Sequence, residues 1–70
     1  MVKLPSISAR ELMKVLKKRG FEERVGRGSH RVFNHPDGLH TVIAVHPGQI
    51  PFGTLRQILK QARLSVDDLR

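Results

Sequence analysis

The sequence predicts a small α+β domain, a two-layer sandwich in the order α-β-β-β-α with a short helical turn at the C-terminal end. Three observations predict it. Apolar residues recur at helical spacing near both ends, the middle alternates with period two and is rich in β-branched residues, and glycine-containing turns separate the segments. A chain of 70 residues makes a single domain, taken as residues 1–70. At this length folding buries only roughly 60% of the unfolded chain's surface, so chemistry belongs on a surface or in a shallow groove.

Ser8 followed by Glu11 reads as a capping box and opens a first helix near Ala9. Leu12, Val15 and Leu16 share one face of that helix, and Arg10, Lys14, Lys17 and Lys18 lie opposite. Gly20 can take the left-handed conformation that ends it. From Phe21 the period changes to two, with Phe21 and Val25 on one parity, until Gly26-Arg27-Gly28 supplies a turn. Strand two is expected from about His30 to His35, then a turn at Pro36-Asp37-Gly38, then strand three from His40 to Val45. On strand three, both Val42 with Ala44 and Ile43 with Val45 are apolar enough to face a core.

A loop at His46-Pro47-Gly48-Gln49 leads, after Pro51, into a second helix. Its Leu55, Ile58, Leu59 and Ala62 form a buried stripe opposite Arg56, Lys60 and Arg63. A last turn is expected from Ser65, capped by Asp68, with Leu64, Val66 and Leu69 closing the core. A three-stranded antiparallel meander with two helices on one face has the plan of a double-stranded-RNA-binding domain, which is a likeness of layout and not of function.

With 13 Lys plus Arg against 6 Asp plus Glu, the net charge is +7, and so small a cationic body attracts a polyanion. The absence of Cys excludes disulfide staples, thiolate-bound zinc and thiol nucleophiles, and gives no support to an oxidising compartment, so a cytoplasmic protein is expected. Met1 to Ser6 has neither the apolar core of a signal peptide nor an Arg-rich presequence, and no run approaches the ~20 apolar residues that span a bilayer. No membrane partner is expected. His30, His35, His40 and His46 lack the close helical spacing or clustered carboxylates of common zinc sites, so neither a metal nor another cofactor is expected.

Gly28-Ser29-His30 suits a phosphodiester. Gly28 lets a phosphate approach the backbone, Ser29 offers a hydroxyl and an amide, and an imidazole shifts protons near neutrality. Arg27 and Arg31 flank the tripeptide, and Lys17 is a further cation for RNA. RNA carries its own nucleophile, the 2′-OH, so one proton carrier and nearby cations suffice to cleave it. Taken alone, this tripeptide is more often an ordinary turn followed by an exposed strand histidine. With only Phe21, Phe33 and Phe52 able to stack on bases, binding is expected to rest on phosphate contacts and to depend on salt.

Ser8-Ala9-Arg10-Glu11-Leu12, Gly20-Phe21, Gly28-Ser29-His30, His35-Pro36-Asp37-Gly38, Val45-His46 and Gly53-Thr54-Leu55-Arg56-Gln57-Ile58-Leu59 occur in this order along nearly the whole chain. In these elements and their separations the chain resembles the HicA toxins of type II toxin–antitoxin systems. The resemblance implies a double-stranded-RNA-binding-like fold, metal-independent mRNA cleavage that blocks growth, and neutralisation by a HicB-type antitoxin. It also implies that His30 is the catalytic residue. The family commonly has glycine after the first serine and proline two residues before the strand-end histidine, where this chain has Ala9 and Ala44. Both are scaffold positions.

The expectation is therefore an endoribonuclease toxin, monomeric when free, whose RNA-binding residues are Arg27, Gly28, Ser29, Arg31 and Lys17 around His30. The second proton carrier is left open among His46, His35 and water. Two rival classes are a non-catalytic RNA-binding module and a protein that only docks a partner. Cleavage, binding without cleavage, or neither separates the three.

Overall fold

The computed structural model describes residues 6–69. The expectation for the leading segment therefore falls almost wholly outside the described residues. The elements are α1 (Ala9–Lys18), β1 (Glu22–Val25), β2 (His30–Asn34), β3 (His40–Ala44), α2 (Phe52–Ala62) and a closing 3-10 turn (Val66–Leu69). The three strands form one antiparallel sheet in the order β1-β2-β3, so the α+β sandwich read from the sequence is the architecture found.

α1 starts where Ser8 accepts the Glu11 amide on its hydroxyl oxygen at 3.2 Å. The Ser8 hydroxyl donates to the Glu11 carboxylate at 3.0 Å, so only one side of the expected reciprocal amide capping is made. The helix ends in a Schellman closure. Gly20, at φ +95°, donates its N–H to the Lys17 carbonyl at 3.1 Å, and Phe21 donates to Leu16 at 3.0 Å. Phe21 is thus the apolar residue that seals the helix end, not the first residue of β1. β1 is an exposed edge strand along its whole length, and Val25, expected to share Phe21's environment, is 80% exposed.

The core lies between the helices and one face of β2 and β3. Phe33, Thr41 and Ile43 point into it and are essentially inaccessible to water. They meet Leu12 and Leu16 of α1 and Leu55, Ile58 and Leu59 of α2. Thr41 tolerates burial because its hydroxyl donates to the Gln61 side-chain oxygen at 2.8 Å. This settles the parity of β3: Ile43 faces inward with Thr41, while Val42 is exposed. Ile7 and Ile50 complete the core, joined by an N–H of Ile50 donating to the Ile7 carbonyl at 2.9 Å. Beyond α2, Leu64 and Leu69 pack on the core as expected, whereas Val66, expected with them, is not among the residues packed against it, and Arg19 at the end of α1 holds Asp68 of the closing turn at 2.6 Å.

Candidate active site

The link between β1 and β2 is pinned on three sides. His30 donates its amide to the Arg27 carbonyl at 2.9 Å, Gly26 donates to the His30 carbonyl at 3.0 Å, and Val45 donates to the Ser29 carbonyl at 2.8 Å. Two glycines make this geometry possible. A Cβ on Gly26 would lie 2.9 Å from the His30 carbonyl oxygen, and Gly28 sits at φ +56°, in the left-handed region that disfavours a side chain. The sequence therefore builds a tight, backbone-braced turn whose last residue is His30.

His30 is exposed and opens β2. Its neighbours in the ladder fix its face. Arg31 and Phe33 pair with Ile43 and Thr41 on the helix side, so His30, opposite Ala44, belongs to the open face. The Nδ1 atom lies 3.2 Å from the Arg27 carbonyl oxygen. A carbonyl only accepts, so in the neutral ring this contact selects the tautomer with the proton on Nδ1 and leaves the Nε2 lone pair free. The imidazole is oriented as a base with its acceptor nitrogen free.

Arg27, Gly28 and Ser29 are all exposed and contiguous with His30 on this turn. Lys17 and Arg31 are gathered elsewhere, on the helix side of the sheet around Glu23. The Lys17 ammonium lies 2.6 Å from one Glu23 oxygen and the Arg31 Nε 3.5 Å from the other. Arg31 also reaches back to the carbonyl of His30 at 3.3 Å, tying this cluster to the base of the turn. Partly exposed pairs of this kind are worth only about 0–1 kcal/mol, so a phosphate can exchange for the carboxylate. Glu23 was not singled out in the sequence, and no local signal marks it, because its partners come from a helix and a neighbouring strand.

The other histidines differ sharply in surroundings. His35 places Nε2 3.0 Å from the Arg19 carbonyl and accepts the Asp37 amide on Nδ1 at 3.0 Å. Its ring packs against Phe21 with centroids 5.0 Å apart. Both nitrogens thus serve backbone groups. His40, on the open face, holds the Asn34 side-chain oxygen at 2.7 Å. His46 is exposed and borders a cavity of about 230 Å³ between β3, the following loop and the start of α2, where Ile43, Gln49, Thr54 and Ile58 also line the wall. α2 has Pro51 at its N-cap, with no side-chain cap and no acid in its first turn, which leaves the positive end of its dipole beside this cavity.

Among the described residues no three His, Cys, Asp or Glu side chains come together as a metal site, and no helix is long and apolar enough to cross a membrane. The arrangement offers a proton acceptor on a rigid turn, flanking cations and a net positive body.

A family model described as HicA toxin of bacterial toxin-antitoxin matches residues 9–64. The match runs from the first residue of α1 to just beyond α2 and includes the whole turn. No curated protein matches the chain.

Proposed function

Because the chain belongs to the HicA toxin family of bacterial toxin–antitoxin systems, we propose that it is the toxin of a type II pair, an endoribonuclease that cleaves mRNA without a metal. His30 is the proton-transfer residue and a HicB-type antitoxin the neutralising partner. The toxin is monomeric when free and acts in the cytoplasm, where its substrate is.

RNA crosses the turn with one phosphate near the exposed backbone of Gly28 and Ser29. His30 Nε2 removes the 2′-OH proton, and the freed oxygen attacks the adjacent phosphorus. Arg27, beside the turn, balances the charge that builds on the phosphoryl oxygens. Lys17 and Arg31 hold a neighbouring phosphate by exchanging Glu23 for it. Because the nucleophile belongs to the substrate, the reaction requires no cofactor. The observation that carries the reading is the Nδ1 contact of 3.2 Å with the Arg27 carbonyl, which leaves Nε2 as the acceptor. An antitoxin of acidic or mixed surface is complementary to the +7 charge and competes with RNA for it.

The test is incubation of the purified protein with RNA in EDTA. Fragments that accumulate with time support the enzyme. RNA retained intact on the protein means a binding module instead, and neither outcome means a protein that only docks a partner.

A further inference from the structure

When the 2′-oxygen displaces the 5′-oxygen, the latter leaves as an alkoxide unless a proton reaches it. Attack and departure lie on opposite sides of the phosphorus, so His30 cannot serve both in one step. The remaining three histidines can be ranked by geometry. His35 has both ring nitrogens committed to backbone groups. His40 stands at the far end of β3, four residues before Ala44, which on a strand rising 3.3 Å per residue is about 13 Å from the partner of His30.

His46 alone is near and free. The Val45 amide donates to the Ser29 carbonyl at 2.8 Å, the bond that closes the ladder at its last pair, His30 with Ala44. His46 follows two residues after the partner of His30, just beyond the end of β3. A ladder extended to this position would set His46 diagonal to His30, at about 7–8 Å, a gap that admits a phosphodiester. The His46 ring is exposed and makes no hydrogen bond among the described residues. The cavity it borders has no charged lining side chain: α1 contributes Ala9, and α2 contributes Thr54 and Ile58. The titratable groups nearest His46 along the strand pair and its turn are His30, Arg31 and Arg27.

We propose that His46 is the second catalytic residue, the acid that protonates the leaving 5′-oxygen while His30 Nε2 accepts the 2′-OH proton. This rests on the ribonuclease reading above. The O2′–P bond forms and the P–O5′ bond breaks. His30 gains one proton and the His46 imidazolium loses one. The products are a 2′,3′-cyclic phosphate and a 5′-hydroxyl, and solvent restores both rings.

The test compares single-turnover cleavage by the wild type, His46→Ala and His30→Ala on two RNAs that differ at one site. One has an ordinary 5′-oxygen there and the other a bridging sulfur, which leaves as thiolate without a proton. His46→Ala is expected to cut the oxygen substrate about 10²–10⁴-fold more slowly and the sulfur substrate within a few-fold of wild type. It should also lose the fall in rate at alkaline pH and keep the rise from acid pH. His30→Ala is expected to be slow on both. Wild-type activity of His46→Ala on the oxygen substrate, or equal defects on the two RNAs, overturns the assignment of His46 and leaves His30 standing. A wild-type protein that cuts neither RNA, or His30→Ala at full rate, overturns the ribonuclease reading itself and the His46 assignment with it.

Discussion

Gly26→Ala is the sharpest mechanical probe of the turn. Gly26 has no positive φ, so alanine adds no backbone strain there, and the whole effect comes from the methyl group. That carbon would sit 2.9 Å from the His30 carbonyl oxygen and 3.3 Å from its carbonyl carbon, about half an ångström inside ordinary contact. Overpacking of this kind costs about 1–3 kcal/mol, and in a domain of this size each kcal/mol lowers Tm by about 4–8 °C. The displaced atoms belong to His30, so activity is expected to fall further than stability does. A misplacement of about 1 Å at a reacting group can cost roughly 10²-fold in rate. Gly38→Ala is the matched control, because Gly38 sits at φ +90° in open space in the other hairpin turn. Its backbone strain lowers stability by a similar about 1–2 kcal/mol without touching His30. Thermal melts and single-turnover RNA cleavage on both variants decide the matter. Equal loss of activity in the two, or full activity in Gly26→Ala, refutes the claim that this turn positions the histidine.

Arg63 caps α2 at φ +54°, a position that favours glycine, so Arg63→Gly is expected to gain about 1 kcal/mol and raise Tm; an unchanged or lower Tm contradicts this. Asp68 accepts the Ser65 amide and hydroxyl and sits beside Arg19, which together hold its carboxyl below the ordinary 3.8. Its contribution to stability is therefore complete above that value and is lost as pH falls through the lower folded value. Asp68→Asn should be less stable than wild type near neutrality, and the gap should close in strong acid; a gap that is constant with pH argues against it. Glu23→Gln, placed in the inactive His30→Ala protein, should release Lys17 and Arg31 to the nucleic acid. Binding should tighten, and the dependence of log affinity on log salt should steepen by about 0.7 for each additional phosphate neutralised on single-stranded RNA. No change in that slope would show that the two cations stay away from RNA.

The helices were legible because their signals are local. Ser8, Gly20 and the Leu55, Ile58, Leu59 and Ala62 stripe each act within a few residues, and the structure realises each of them. The edges of the sheet were harder. Phe21 and Val25 share a parity, but Phe21 is drawn into the α1 closure while Val25 lies on an edge strand that the helices do not cover. Ile7 and Ile50 join the core through a contact between segments 43 residues apart in the chain, which no local pattern encodes. At the candidate site, Gly28-Ser29-His30 was readable as a motif, but the orientation of the imidazole was not, because it depends on a carbonyl three residues back. His35 and His46 are both candidates for the second proton carrier in the sequence, and it is His35 that the two backbone partners set apart.

Whether one imidazole on this turn moves the proton that starts RNA cleavage is tested most directly by the single-turnover cleavage rate of His30→Gln in EDTA, measured beside the wild type on a single RNA. Glutamine keeps a polar side chain at an exposed position and cannot act as a base. A rate reduced by about 10²–10⁴-fold, with RNA affinity and the thermal melt unchanged, is the predicted result. Undiminished cleavage by His30→Gln would contradict the account.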